Sequence, residues 1–352
     1  MRIVEVNASK SYKVYIEQGL IDSCGEIVKS VCKGSKAVIV SDSNVAPLYA
    51  DRVKTSLEKA GLAASVFIIE AGEASKNPEN LVKAADFCIE EGLTRSDVIV
   101  ALGGGVITDL AGLCGALFQR GVAVVQIPTS LLAMTDSSVG GKTAVNLSKG
   151  KNMYGAFYQP RAVICDSAVL STLPCEEFSN GIAEVIKYAV LRGGRLKDIL
   201  EGDVCDYLDE MIEECVSIKR DYVCKDEFDT GVRQFLNLGH TVGHAIERVS
   251  NFGVAHGSAV SAGMCIVARA CAKSGVCDLS VAQDIENLCK KYSLPISCEY
   301  DYNMLYEASL SDKKREGAEI SVVMVKAFGD CYLYRTKTEF LKELIEKGDT
   351  DK

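Results

Sequence analysis

The sequence predicts two domains of different class: an α/β domain with a mostly parallel sheet over residues 1–170, then a mainly helical domain over residues 171–352. Three observations predict it. Short apolar runs alternate with helix-period segments in the first half, the pattern of βαβ units. After about residue 170 the segments carry apolar residues at helical spacing instead. The length of 352 residues also suits two cores, or one large one.

Taken in order, MRIVEVNASKSYKVYIEQG alternates as a strand does and lacks the apolar centre of a signal peptide. AVIVSD (37–42) is a buried-strand run, and PLYADRVKTSLEKAG is the helix after it. SVFIIEAGE (65–73) is a second strand, followed by PENLVKAADFCIEEG, whose proline suits a first helical turn. DVIVALGGG (97–105) is a third, leading into the helical VITDLAGLCGALF. AVVQIPTS and AVICDSAV add further short apolar runs, which makes the first domain Rossmann-like. Beyond it, CEEFSNGIAEVIKYAVL, YLDEMIEECVSIKRDYVCKDE, LGHTVGHAIERV, the segment from Ser258 and VAQDIENLCKKY read as helices. EISVVMVKAFGDCYLYRT alternates like a hairpin, and EKGDTDK reads as a frayed end.

Composition is that of a globular protein, 48% hydrophobic and 25% charged, with six prolines. A net charge of −9 argues against nucleic acid or an anionic membrane surface as partner. No apolar run is long enough to span a membrane. The fifteen cysteines include no C-x-x-C pair, so they read as small buried hydrophobes in a reducing, cytoplasmic setting.

All three histidines, His240, His244 and His256, fall within LGHTVGHAIERVSNFGVAH. Imidazole is the commonest neutral metal ligand. His240 and His244 are one helical turn apart and share a face, while His256 follows a glycine-containing turn. A catalytic zinc site adds a carboxylate to two such rings and keeps one position open. Glu184, in the mainly apolar SNGIAEVIKYAV, is the candidate, with Lys187 on its face. The bland alternative is a Glu–Lys pair on a solvated helix. Spacing leaves open which two histidines bind. The pair resembles the two-histidine helix of zinc hydrolases, but the glutamate that follows the first histidine there is here Thr241, which weakens a hydrolase reading.

ALGGGVITDLAG sets three glycines where a buried strand meets a helix start, a place where backbone can approach a diphosphate. Asp42 ends an earlier strand and could accept from a ribose hydroxyl, although an Asx turn in SDSN competes. TDSSVGGKTAVN and SKGKNMYG form a second glycine-rich region, either with Lys142, Lys151 and Asn152 placed to grip phosphate or carboxylate or as a solvated loop with incidental lysines. SDKKREG (311–317) is either a solvated turn or a phosphate-gripping loop.

Together, GEASK, GGGVITDLAG, QIPTSLLAMTDSSVGGKTAVN, GKNMYGAFYQP, SNGIAEVIKYAV, LNLGHTVGHAIE, HGSAVSAGM and DKK resemble the 3-dehydroquinate synthase family, in family order over nearly the whole chain. The resemblance implies a dehydroquinate synthase-like fold and conversion of 3-deoxy-D-arabino-heptulosonate 7-phosphate to 3-dehydroquinate and phosphate, in the shikimate pathway. It implies NAD, recycled through oxidation at C5, phosphate elimination, re-reduction, ring opening and an aldol closure, and a zinc or cobalt ion. Metal ligation carries over to Glu184, His240 and His256, leaving His244 as a proton-relay candidate. NAD contacts carry over to Asp42, Glu73, Lys76, Gly104, Gly105, Val106, Asp109, Thr129, Ser130, Lys142, Lys151 and Thr172. Substrate contacts carry over to Asp136, Lys142, Asn152, Lys187, Lys219, Arg233, Asn237 and His244, with one of Lys313 and Lys314. Arg120 matches an arginine that reaches the neighbouring active site in the family's homodimers. One departure is visible: Thr108 stands where the family commonly has glycine.

Two rival enzymes share parts of this pattern. Another sugar phosphate cyclase would act on a substrate without the carboxylate, which Arg233 and Asn237 argue against. A metal-dependent polyol or glycerol dehydrogenase would usually offer aspartate to the metal and fewer lysines to the substrate.

Overall fold

The computed structural model describes residues 1–310 and 319–349. Two compact units partition the chain: Met1–Pro174 with Leu208–Phe228, and Cys175–Tyr207 with Asp229–Lys352.

In the first unit, strands β1 (Arg2–Asn7) and β2 (Ser11–Ile16) form an antiparallel hairpin. Helix α1 (Cys24–Val31), β3 (Lys36–Asp42), α2 (Ala46–Lys59), β4 (Ala63–Ile69), α3 (Pro78–Glu90), β5 (Val98–Gly103), α4 (Gly105–Leu117) and β6 (Ala123–Pro128) then alternate. A second hairpin, β7 (Lys142–Leu147) and β8 (Gly150–Phe157), precedes β9 (Ala162–Cys165). The sheet order is β1-β2-β9-β6-β5-β3-β4, parallel at every pairing except β1–β2. Both faces are covered, as a parallel sheet requires: β5 is buried at every residue. Val38, Val40, Ile99 and Ala101 pack against Leu110, Leu113 and Cys114 of α4. This is the mostly parallel, Rossmann-like sheet that the alternating runs predict.

The chain runs from β3 outward to β4 and then back to β5 on the other side of β3. That reversal is a topological switch point, where open α/β sheets leave a crevice at the carboxyl ends of their strands. Asp42 ends β3 and Gly103 ends β5, so both border it.

The second unit begins with α5 (Cys175–Arg192) and α6 (Arg195–Glu201). Helix α7 (Leu208–Lys225) intervenes before α8 (His240–Val249), α9 (His256–Lys273), α10 (Leu279–Lys291) and α11 (Tyr302–Ser309). Strands β10 (Glu319–Ala327) and β11 (Asp330–Lys337) form the expected antiparallel hairpin, followed by α12 (Glu339–Gly348). Helix α9 is the centre of this unit, buried almost throughout from Gly257 to Cys271 and flanked by α5, α8, α10 and α12.

Three sequence expectations change. The cut falls at Pro174 rather than at residue 170, and α7 belongs to the amino-terminal unit. There it packs on β1, Arg2 bonds Glu213, and Ser167 bonds Asp209. Helical periodicity says which face is buried, not which core buries it. The glycine-rich stretch after residue 140 is a hairpin, not a loop, and Glu346–Gly348 continue α12 rather than fray. All fifteen cysteines are free and nine are buried, which matches their reading as core filler. Among the described residues, no helix is long and apolar enough to cross a membrane.

Candidate metal centre and cofactor face

The metal candidates come from three helices of the second unit. Gly239, at φ 76°, reverses the chain in the left-handed region and lets His240 open α8. A Cβ there would stand 2.5 Å from Met264 Cγ and 2.7 Å from the Val260 carbonyl, so α8 and α9 touch through it. His256 opens α9, and the next residue, Gly257, lies so close to α5 that a Cβ would sit 2.2 Å from the Asn180 carbonyl oxygen. Asn180 is one helical turn before Glu184. Two glycines thus draw α5, α8 and α9 to one point.

At that point the ligand-capable atoms of Glu184, His240 and His256 lie within 4.8 Å of one another. Glu184 Oε1 is 3.4 Å from His240 Nε2 and 3.3 Å from His256 Nε2. A tetrahedral ion with bonds of about 2.1 Å separates its ligand atoms by about 3.4 Å. Glu184 Oε1 is buried without a hydrogen-bond partner, so the donor set fits an ion better than a proton-sharing network. The other oxygen, Oε2, accepts from Lys187 Nζ. That pair is buried, not on a solvated face: both side chains are 1% exposed.

The rings are oriented from behind. His240 Nδ1 lies 3.1 Å from the Leu238 carbonyl, and His256 Nδ1 lies 3.5 Å from Glu247 Oε2. Such partners fix the tautomer that leaves Nε2 to a metal. Burial pushes the His240 ring down to about 4, although the Glu184 carboxylate opposes it. Burial also disfavours protonation of His256, but pairing with Glu184 and Glu247 outweighs it and raises the ring to about 10. Burial would raise the Glu184 carboxyl; Lys187 and His240 hold it well below the usual carboxylate range. His244 meets His240 edge-on, with ring centroids 5.5 Å apart. Glu247 escaped the sequence reading, although LGHTVGHAIE sets it on the His240–His244 face, at i+3 from His244.

Nearby in the same unit, Arg233 is almost fully buried and Asn237 half-buried, both on the turn of Val232–Asn237 that leads into α8. Lys313 and Lys314 lie outside the described residues.

The cofactor candidates gather in the first unit. Gly103 is where strand and helix meet closely, since a Cβ would lie 2.7 Å from Ile107. At Gly104 and Gly105 an added Cβ would meet only ordinary contacts, the nearest atoms being serine hydroxyls at 3.4 and 3.5 Å. Backbone bare on the ligand side at a helix start is what a diphosphate needs. Asp42 makes the Asx turn, its Oδ1 accepting from the N–H groups of Asn44 and Val45 at 2.9 and 3.0 Å. Lys76 Nζ pairs with Asp109; burial still pushes the Asp109 carboxyl up against the pull of Lys76. Thr108 is accommodated: its hydroxyl donates to the Gly105 carbonyl at 3.1 Å and meets Ser137 Oγ at 3.1 Å.

Asp136 sits in a π-turn over Ala133–Ser137, and Lys219 of α7 holds it by its carbonyl at 2.7 Å and its Oδ1 at 2.9 Å. Lys142 begins β7, whereas Lys151 and Asn152 open β8, Asn152 with φ 54°. Thr129 and Ser130 follow β6 directly, and Thr172 Oγ1 lies 2.6 Å from the Tyr49 hydroxyl. Arg120 is exposed, and it and Gln119 both have left-handed backbone, φ 66° and 48°.

Residues 66–180 match the family described as 3-dehydroquinate synthase N-terminal, and residues 181–315 match 3-dehydroquinate synthase C-terminal. A 3-dehydroquinate synthase of Streptococcus pneumoniae is 42% identical over 344 residues, covering 96% of this chain and 97% of the relative. A solved 2-deoxy-scyllo-inosose synthase, complexed with carbaglucose-6-phosphate, NAD+ and Co2+, superimposes with TM-score 0.88 at 23% identity, covering 99% of this chain and 100% of that one. A 2-epi-5-epi-valiolone synthase from Streptomyces hygroscopicus, with NAD+ and Zn2+ bound, gives 0.87 at 22% identity, covering 99% of each. At such identities these two structures speak for the fold alone.

Proposed function

The chain belongs to the 3-dehydroquinate synthase family, and from that premise we propose which of its residues carry the reaction. That reaction converts 3-deoxy-D-arabino-heptulosonate 7-phosphate to 3-dehydroquinate and phosphate. Glu184, His240 and His256 hold the divalent ion, zinc or cobalt, and the convergence of their ligand atoms within 4.8 Å is the observation that carries the assignment. When bound, the ion supplies Lewis-acid polarisation of a substrate hydroxyl, and NAD supplies a reversible hydride acceptor.

The chain's own groups orient and neutralise. Lys187 balances the second oxygen of Glu184, so the carboxylate stays ionised while buried. Leu238 and Glu247 hold the two rings in the ligating tautomer. Lys219, itself tethered to Asp136, fixes the π-turn that offers Asp136 to the substrate. Lys142, Asn152, Arg233 and Asn237 hold the phosphate and carboxylate, with one of Lys313 and Lys314 assisting, where fixed orientation contributes much of the rate. His244, edge-on to His240, relays a proton.

NAD would be held at the β3–β5 switch point, its diphosphate by Gly104, Gly105 and Val106. Asp42, Glu73, Lys76, Asp109, Thr129, Ser130, Lys142, Lys151 and Thr172 line its path. The bare glycine backbone and the strand order support this.

The active form is a homodimer in which Arg120 reaches the neighbouring site. Two features support it. Arg120 is exposed on a backbone held in the left-handed region. Beside it, Leu81, Val82, Ile89, Leu117 and Tyr154 line an apolar groove that reaches Gln119, and all of these but Leu81 are exposed.

The test is turnover of the zinc-loaded protein with the heptulosonate phosphate and NAD. Phosphate and dehydroquinate released in equal amounts, without net NADH, is the expected result. Steady NADH build-up with glycerol-like substrates, or turnover only of a sugar phosphate lacking the carboxylate, overturns the reading.

A further inference from the structure

Strands β7 and β8 pair in register from Lys142–Phe157 to Val145–Tyr154, and the register then shifts between Val145 and Leu147. The shift leaves Asn146 of β7 and, opposite it, Lys151, Asn152 and Met153 of β8 out of the ladder, the extra residues lying on β8. A bulge of this kind re-aims a side chain and frees its backbone. The Asn146 N–H donates to the Lys76 carbonyl at 2.8 Å. Its side-chain Nδ2 donates to Glu73 Oε1 at 2.7 Å, while its Oδ1 accepts from the Asn152 N–H at 2.8 Å.

Two of these bonds go to exposed residues. Glu73 lies in the 3-10 turn Glu73–Ser75 and is exposed. Asn152 is exposed too, with φ 54°, a conformation that a non-glycine residue keeps only when its surroundings fix it. An asparagine can do both tasks because its amide carries donors and acceptor lone pairs on one planar group.

We propose that Asn146 is a positioning residue, tying the Glu73–Lys76 turn that meets NAD to the Asn152 backbone that meets substrate. The inference rests on the assignment of Glu73 to NAD and Asn152 to substrate given above. Through Asn146 the two ligands share one hydrogen-bonded element, so ordering the turn also orders the strand opening of β8.

The experiment uses the full-length, metal-loaded protein and reads two constants separately: the NAD dissociation constant by titration, and the KM for the heptulosonate phosphate at saturating NAD. Asn146→Ala raises both by about tenfold, the effect of losing one to two ordinary hydrogen bonds. Asn146→Asp keeps the acceptor for the Asn152 N–H but loses the donor to Glu73 and adds like charge beside it. It therefore returns the KM towards the parent value and leaves the NAD constant raised. That split is the result a general loss of folding would not give, and melting temperatures of both variants accompany it. Equal recovery or equal loss of the two constants in Asn146→Asp overturns the proposal, as do unchanged constants in Asn146→Ala. Glu73→Ala and Asn152→Ala are measured in parallel. If those leave the NAD constant and the KM respectively unchanged, the assignment of the ligand contacts fails rather than the tie between them.

Discussion

In the amino-terminal unit the candidate cofactor positions are strand ends and glycine backbone: Asp42 closes β3, Gly103 closes β5, and Gly104 and Gly105 lead into α4. In the carboxy-terminal unit they are side chains of three helices far apart in sequence, brought together at Glu184, His240 and His256. The first arrangement follows from topology, because any parallel sheet that reverses its strand order has such a crevice. The second depends on how closely helices approach, and there a single methyl group decides. Glycine serves both, for opposite reasons: a Cβ at Gly104 would make only ordinary contact, with Ser130 Oγ at 3.4 Å, whereas one at Gly257 has no room at all.

The largest effect should come from Glu184→Gln, which removes an anionic ligand and the negative charge that faces buried Lys187. Bound zinc falls well below one per chain and kcat/KM drops by more than about 100-fold, exceeding the cost usual for an outer-shell partner. Metal analysis beside steady-state kinetics measures both; full zinc and full rate would refute the ligand role. Gly257→Ala sharpens the contrast between units. Its Cβ would stand 2.2 Å from the Asn180 carbonyl, so α9 must shift, costing about 1–3 kcal/mol in denaturant unfolding. Zinc affinity should fall with it while NAD affinity holds. A parallel loss of NAD affinity would break the distinction.

The corresponding pair in the first unit is Gly103→Ala against Gly104→Ala. The former meets Ile107 at 2.7 Å and should lower stability. The latter meets only Ser130 Oγ at 3.4 Å and should leave stability alone but weaken NAD by about tenfold, by blocking backbone approach. Identical stability losses would mean that both glycines serve packing only.

The smallest effect concerns pH. Burial would raise the Asp97 carboxyl, but hydrogen bonds from Thr94, Lys36 and Ser35 hold it below its ordinary value. The folded value is the lower one, so this stabilisation is present above the unfolded aspartate value of about 3.9 and is lost as pH falls through the folded value. Asp97→Asn should lower stability at neutral pH by about 1 kcal/mol and flatten the decline from about pH 5 to about pH 3. An unchanged acid limb in urea titrations would assign the effect elsewhere.

The alternating runs of the first half made its sheet legible, since strand period and connection length leave little choice for a parallel sheet. Histidine clustering and the apolar setting of Glu184 made the metal candidates legible, while the choice of His240 and His256 over His244 came from family resemblance. Three features were not legible. Helix α7 has the period of its neighbours in sequence but packs on β1, because amphipathicity names a face and not a partner. The β7–β8 hairpin was hidden by its glycines and lysines, which read as a loop. Asn146 and Glu247 act through other residues, and only coordinates reveal an atom whose role is to hold another.

The central claim, one ion on one carboxylate and two rings, is tested most directly by anomalous diffraction at the zinc edge from crystals of the zinc-loaded protein. The account predicts a single strong peak within about 2.0–2.2 Å of an oxygen of Glu184 and a ring nitrogen each of His240 and His256. A peak on other residues, or none there at full zinc occupancy in solution, would contradict it.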